Sequence, residues 1–446
     1  MEEIKKKPKL KRRVSLFALT AYGVGNVLGA GIYALIGEVV WITGNLSWLS
    51  FIIASITGAL TGLSYAELSA MFPKSAAEFV YTEQAFKKRI LSFILGWIII
   101  FSGILSAATV ALGFANYLSD LFGISSIFLV VIFAILLIII LSIINFIGIK
   151  TSTRTNIIFT LIEASGLIFI IVIAIPLFGS VDYLALPTAS NFTAIFSSVA
   201  LIFFAYIGFE DIANIAEEVK EPHKNLPKGI IYSIIITTIL YCLTAISVVS
   251  ILHYGVYDYE NSKVPLRDAA SQVLGDAGGL IMSLIALFAT ANTVLIMLIV
   301  TSRMMYGMAR DKALPEGLSK ISPKHRTPII SILITMIFTI IPVFFVDIKI
   351  IADATVFGVL LNFFLVNISL IALRKTKPDM ERPFKLKPSI KWVPIIALLG
   401  SIVCIALLFT FDWLTIVIQS IIILCGIGVF YGMKSKIETK TLKEED

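Results

Sequence analysis

The stretch "YGVGNVLGAGIYALIG", Tyr22–Gly37, decides how this chain is read. It lies inside an apolar run, residues 14–37, that is long enough to cross a bilayer. Yet it carries Gly23, Gly25, Gly29 and Gly31 within nine residues, with Asn26 among them. A glycine costs roughly 1 kcal/mol against alanine inside a helix, and hydrocarbon offers no hydrogen bonds to an unwound backbone. A helix broken here must face protein, water or a ligand. The competing reading is that small residues let neighbouring helices approach closely. Four glycines with an asparagine, matched by a second interruption further along, favour the break.

The rest of the chain has the same character. Of its 446 residues, 58% are hydrophobic and 15% charged, and the mean hydropathy is +0.95, the balance of an integral membrane protein. A spanning helix needs about 20 apolar residues. Twelve such runs are present, near 14–37, 47–70, 92–118, 124–148, 155–178, 193–215, 229–252, 278–301, 328–346, 350–373, 392–411 and 413–433. They are uniformly apolar, unlike the alternating strands of a membrane barrel, so the expected fold is an all-α polytopic membrane protein with twelve transmembrane helices. With the amino terminus inside, 33 of the 36 lysines and arginines fall on one side, and only Lys263, Arg267 and Lys349 on the other. That asymmetry predicts a multi-pass protein of the cytoplasmic membrane with both termini in the cytoplasm. The net charge of +7 is then expected to meet the lipid bilayer and not nucleic acid. Cys242, Cys404 and Cys425 are scattered through apolar spans and give neither a disulfide framework nor a metal spacing; no metal site and no cofactor are expected. The apolar run after the basic start is too long for a signal peptide.

The first ten helices read as two halves of five. Helix 1 is interrupted at the glycine cluster and helix 6 near "FFAYIGFED", Phe203–Asp211. Because five is odd, the second half enters the membrane from the opposite side. After helix 2 comes residues 72–89, and after helix 7 residues 263–279; both read as short amphipathic helices at matching positions on opposite faces. The expected organisation is a cytoplasmic basic tail (1–12), a first repeat (13–178), a second, inverted repeat (193–373), two additional helices (392–433) and a cytoplasmic tail (434–446) expected to be irregular. Inverted repeats with paired broken helices mark secondary transporters, with the substrate between the breaks.

A break at mid-membrane exposes partial charges. The start of the outer half of helix 1, near Gly29, Ala30 and Gly31, is positive and suits a carboxylate. The end of its inner half, and the break in helix 6, offer carbonyls suited to an ammonium group. A zwitterion fits between them, which points to an amino acid.

Three segments also resemble a known family. "GVGNVLGAGIYALIG" is similar to the helix-1 motif of the amino acid–polyamine–organocation transporter superfamily. "FFAYIGFEDIANIAEEVKEPHKNLPKGI", Phe203–Ile230, resembles its helix-6 motif and following loop, and "SRMMYGMARDKALPEGLSKISPKHRTPI", Ser302–Ile329, its loop after helix 8. The helix-6 region leans towards the branch of cationic amino acid transporters and their bacterial relatives. The resemblance implies the leucine-transporter type of fold, five plus five inverted helices with helices 1 and 6 broken. It implies that the Ala30 and Gly31 amides hold the substrate carboxylate. The Val27 carbonyl, with those of Phe204 and Ile207, would hold the α-ammonium, with Asn26, Gly29, Ala205 and Gly208 beside them. Phe204 is where the family often places an aromatic that closes over the substrate.

Charged groups at bilayer depth cost roughly 2.5–3.5 kcal/mol on insertion scales, so each calls for a role. Glu163, in "FTLIEASGLIF", stands where many proton-coupled members of the family have a lysine. Burial favours its protonated form and would let it carry a proton; bracing the core, or binding sodium with Thr290 or Thr293, are alternatives. Glu210 follows the helix-6 break, where relatives carry a gating carboxylate, and Asp211 is expected on a different face. Glu67 is expected to pair with a basic residue. With no charged residue evident in the pocket, the expected function is uptake of neutral amino acids by alternating access, with a proton as coupling ion. An exchanger or a sodium-coupled symporter is the alternative, and a non-transporting amino acid sensor the rival from another class. No converging catalytic groups suggest an enzyme, no phosphate-binding loop an ATP-driven pump. A monomer or a homodimer is expected.

Overall fold

The computed structural model describes residues 10–123, 126–185, 202–203, 205–259, 264–344 and 348–445. They are almost wholly helical: α1 (Leu16–Thr43), α2 (Ser47–Met71), α3 (Ala77–Phe86), α4 (Arg89–Leu121), α5 (Ile127–Ile147) and α6 (Ile149–Ala174) come first. After them come α7 (Asp211–Asn214), α8 (Pro222–Ile251), α9 (Pro265–Arg310), α10 (Ile329–Ile340), α11 (Ile348–Thr376), α12 (Ile395–Leu408) and α13 (Trp413–Glu445). One small antiparallel hairpin pairs Ser389 with Pro394 and Ile390 with Val393. Among the described residues, nine helical segments are long and apolar enough to span a bilayer, and Ile329–Phe344 and Ile395–Leu408 are shorter apolar ones. The chain is a multi-pass membrane protein.

Each apolar run read from the sequence coincides with a described helix except that over 193–215, ten of whose 23 residues lie outside the described residues. What is described there is helical backbone at 202–203 and 205–206, a turn over 207–210, then α7. Three differences have physical reasons. α1 continues six residues past Gly37, because "EVVWIT" contains no breaker before Gly44. The amphipathic helix expected over 263–279 is the first part of α9, separated from the rest by Gly275 (φ 66°, ψ −161°), a left-handed backbone that glycine adopts without strain. The tail expected to be irregular continues α13 to Glu445; it is rich in lysine and glutamate and contains neither glycine nor proline after Gly432.

Burial sorts the helices into layers. α1 and the half of α9 from Ala286 to Ala309 are buried almost all round, as a helix surrounded by other helices must be. α1 packs against α6, α8 and α9, and α4 against α9, α5 and α11. α2 lies between α8 and α12. α5 and α13 form part of the rim: Ile127, Phe128, Leu136, Ile140, Ile421 and Leu424 are exposed, an apolar surface made for lipid. The two short helical segments each lie against a broken element distant in sequence. At the start of α3 the Ala77 amide donates to Asn214 Oδ1 (2.9 Å), while Pro265, opening α9, sits against Gly37 of α1.

Candidate functional site

The site is built where α1 and the segment before α7 lose their winding. Within α1 the backbone leaves the helix at Gly29 (φ 14°, ψ −154°) and re-enters it at once. In the second element the chain turns over 207–210, with Gly208 at φ +129°, a conformation closed to most side chains. The Gly208 amide donates to Glu210 Oε2 (2.8 Å). Asn26 joins the two breaks: its Nδ2 donates to the Gly208 carbonyl (2.8 Å) and to Asp211 Oδ2 (2.6 Å). A Cβ on Gly208 would lie 2.7 Å from that nitrogen, so the φ angle and the contact each demand glycine.

Tyr241 of α8 meets the same place from the other side. Its hydroxyl lies 2.5 Å from the Val27 carbonyl, 3.3 Å from that of Leu28 and 3.0 Å from that of Ala205. One O–H group thus reaches three carbonyls at the two breaks. Nothing in "IITTILYCLTA" distinguishes this tyrosine from an ordinary apolar-helix aromatic.

Between these elements lies a cavity of about 60 Å³, room for two waters at roughly 30 Å³ each. Its lining includes Asn26, Val27, Gly29, Gly31, Ala205, Ile207, Glu210 and Thr293, all residues singled out from the sequence. Gly208 backs it through Asn26. Ala30 lies in the helical backbone beside Gly29, and Phe204 is outside the described residues. The opposite walls come from α4 (Ile99, Ser102, Gly103, Ser106, Val110), α9 (Met297, Val300) and α11 (Thr355, Val359).

Two expectations are corrected here. Asp211, expected on a different face from Glu210, lines the same cavity, where Asn26 Nδ2 donates to it while the Gly208 amide donates to Glu210. The pocket therefore carries two carboxyl groups, where none was expected. And the glycine cluster divides its work. A Cβ at Gly23 would meet Ile212 and Ser233 at 2.3 Å, at Gly25 Thr160 at 2.0 Å, and at Gly31 the Ala205 backbone at 2.8 Å. These three let helices approach, as the packing alternative holds; among the four, Gly29 alone has non-helical angles.

Glu163 of α6 is fully buried and does not line this cavity. Its Oε2 accepts from Asn292 Nδ2 (3.3 Å), while Oε1 is buried without a hydrogen-bond partner. Asn292 also donates to Thr160 Oγ1 (3.0 Å) and accepts from Asn156 (2.8 Å), making a polar seam between α6 and α9 beside Gly25. Thr290, by contrast, bonds to carbonyls of its own helix (2.9 and 3.0 Å), as does Thr293 (3.3 Å).

Below the cavity a buried network closes the end that carries the basic loops. Arg303 of α9 and Glu218, both wholly buried, pair at 2.9 Å. The guanidinium also donates to Asn145 Oδ1 (2.6 Å). The Glu218 carbonyl receives the amides of Arg13 and Val14, and Lys220 returns an amide to Val14, so the segment before α1 is strapped to the loop after α7. Burial pushes the Glu218 carboxyl above its ordinary value, against the downward pull of Arg303. Glu78 of α3 is likewise pushed up by burial, while Tyr65 (3.0 Å) and Asn214 donate to it and hold it down. Glu67 does pair with basic groups: Arg374 Nε lies 3.0 Å and Arg382 3.7 Å from it, and the Leu386 amide donates to it (2.8 Å).

The comparisons with known proteins agree with this geometry. The family model described as "Amino acid permease" matches residues 14–431. The chain is 29% identical to the branched-chain amino acid permease of Bacillus subtilis over 442 residues, covering 95% of this chain and 93% of that one. It is 27% identical to the methylthioribose transporter of the same organism, over 93% of this chain and 92% of the other. It is also 30% identical to the vacuolar cationic amino acid transporter 4 of Arabidopsis thaliana, over 83% of this chain and 64% of that protein.

Proposed function

Because the chain belongs to the amino acid permease family, we propose that it is a secondary active transporter taking up neutral amino acids by alternating access, driven by a proton gradient. The observation that carries this reading is the meeting of two backbone breaks, at Gly29 and Gly208, on one cavity. The amides that open the outer half of α1 suit a carboxylate. The Val27 and Ala205 carbonyls, now shared by the Tyr241 hydroxyl, suit an ammonium group. Ile99, Val110, Met297, Val300 and Val359 offer an aliphatic side chain an apolar wall, in keeping with the similarity to a branched-chain permease. A cavity of about 60 Å³ is smaller than an amino acid, so the helices must part to admit one, with the breaks as hinges.

Twelve spans in two inverted halves of five, the leucine-transporter arrangement, accord with the cross-contacts of the two short helices at Asn214 and Gly37. The basic loops lie in the cytoplasm on this reading, with both termini. Glu163, buried and with one carboxyl oxygen unpartnered, serves as the proton carrier.

A second reading has its own observation. Glu210 and Asp211 both line the cavity and would receive a cationic side chain, as the likeness to a cationic amino acid transporter suggests. Purified protein in vesicles, given a panel of radiolabelled amino acids under imposed proton or sodium gradients, separates these. Accumulation of leucine or valine driven by an alkaline interior is the expected result. Preference for lysine or arginine would favour the second reading, accumulation under sodium alone would replace the proton, and counterflow alone would mean an exchanger. Binding without uptake would make the protein a sensor.

A further inference from the structure

A proton bound for Glu163 needs a way in that the substrate does not share, since this wholly buried residue lines no part of the substrate cavity. Two further cavities lie on α4 and α9 towards the end marked by Arg267. The larger, about 220 Å³, is lined by Tyr117 of α4 and by Arg267, Ser271, Asp276 and Ser283 of α9, among others. The smaller, about 10 Å³, shares Tyr117, Arg267 and Ser283 with it and adds Tyr33 of α1. Roughly 10–15 Å³ is the least space that holds one water, which also needs two to four polar partners; the hydroxyls of Tyr33, Tyr117 and Ser283 supply them. Beyond this point the Tyr33 hydroxyl donates to the Glu163 backbone carbonyl (2.8 Å). Gly166, one turn further along α6, keeps that hydroxyl's place open: a Cβ there would lie 2.9 Å from the Tyr33 oxygen. No residue lines both this pair of cavities and the substrate cavity.

We propose that the Arg267–Asp276 pocket, the single-water space at Ser283 and the Tyr33 hydroxyl form a proton path from the outer face to Glu163, separate from the route of the amino acid. The proposal rests on the reading of Glu163 as the proton carrier. In the step it describes, a proton from the outer solution enters the pocket and is taken up by the water between Tyr117 and Ser283. That water passes one of its protons to the Tyr33 oxygen. Tyr33 releases its own proton, turning from the backbone carbonyl to the unpartnered Oε1 of Glu163. Water and phenol end unchanged, and the carboxylate becomes a neutral acid. Asn292 from α9, donating to Oε2, holds the carboxyl group in place; Thr160 is its α6 neighbour in the seam, and Tyr241 approaches from α8. At the mouth, Arg267 and Asp276 line the same pocket. A space for one water passes a proton by exchange of bonds but does not pass a hydrated sodium ion, which is consistent with a proton as the driving ion.

The test is made on the full-length protein in vesicles with an alkaline interior, comparing Tyr33→Phe and Ser283→Ala with Glu163→Gln. Loss of the relay hydroxyl is expected to lower gradient-driven uptake by about tenfold or more, while exchange of labelled for unlabelled substrate at equal pH stays within about twofold. Ser283→Ala, which removes one polar partner of the water and leaves the aromatic packing intact, is the second variant should Tyr33→Phe fold poorly. If Glu163→Gln abolishes gradient-driven uptake but Tyr33→Phe and Ser283→Ala retain it, the path is wrong and the carrier stands. If Glu163→Gln itself retains it, carrier and path fall together. An equal fall of uptake and exchange in both relay variants would also overturn the path, since it would place these residues on the substrate route.

Discussion

The two breaks achieve a similar exposure of backbone by different means. In α1 the interruption is a single residue, Gly29, with helix on both sides and three further glycines that hold neighbouring helices close. In the second element four residues unwind, Gly208 takes a left-handed φ, and the two carboxyl groups of Glu210 and Asp211 are delivered to the cavity. The first break is uncharged and tightly packed; the second carries the charge. On the proposed reading both breaks offer peptide groups to the substrate's carboxylate and ammonium, and the second break adds the charge that would discriminate among side chains.

The comparison is most easily broken at Gly208. Alanine there must adopt φ +129° with its Cβ 2.7 Å from Asn26 Nδ2 and 3.1 Å from the Asn26 carbonyl carbon. At Gly29 a Cβ would chiefly meet the Thr293 hydroxyl, at 2.5 Å, a side-chain end that can turn. Gly208→Ala is therefore expected to lower uptake by about a hundredfold, with Gly29→Ala clearly milder, when both are normalised to inserted protein. The reverse order would invert the account of the two hinges.

Asn26→Ala comes next. It removes two buried hydrogen bonds, one to a carboxyl group, and bonds to charged groups are worth about 1.5–3 kcal/mol, so initial uptake should fall by about ten- to a hundredfold. Uptake within about twofold of the parent would mean that the two breaks do not need to be tied together. Asp211→Asn tests the division of labour. Inhibition of leucine uptake by lysine or arginine should weaken by about tenfold while leucine's own affinity holds, the scale of one lost charge-assisted contact. Equal loss for both substrates would assign Asp211 to the hinge itself. Tyr241→Phe leaves the Val27, Leu28 and Ala205 carbonyls without the hydroxyl, and at about 1 kcal/mol for one neutral hydrogen bond the maximal rate should fall about fivefold.

The smallest effect belongs to Glu78, outside the spans. Its carboxyl is held above the usual value of 4.5 by burial. A raised carboxyl binds its proton more tightly in the folded protein, so its contribution to stability is complete at acidic pH and is lost as the pH rises through the folded value. Glu78→Gln should thus gain thermal stability relative to the parent as the pH is taken from acid to neutral, read as melting temperature in detergent. A difference between the two that is independent of pH would show that the carboxyl does not titrate in that window.

Eleven of the twelve apolar runs coincide with described helices and, with the α1 break, were legible in the sequence, because hydropathy and four clustered glycines report on apolar length and on helix cost. The place of Asp211 at the cavity was not, since it depends on a contact with Asn26, a residue of a distant segment. Asn292 could have been found: it interrupts "FATANTVLIM", Phe288–Met297, as conspicuously as Asn26 does its own helix. Tyr241 carried no sign, because its role depends on three carbonyls from two distant segments. In sequence Gly23, Gly25 and Gly31 look like Gly29; only the surroundings of each, a neighbouring helix at the first three and a non-helical backbone at Gly29, separate the glycine that bends from those that pack.

The most direct measurement is competition for binding to the purified protein between labelled leucine and two analogues, one lacking the α-amino group and one lacking the carboxylate. With bare peptide groups of both broken helices as the seat, each analogue should bind at least about a hundredfold more weakly than leucine, the scale of one to two hydrogen bonds to a charged group. An analogue that competes as well as leucine would contradict it.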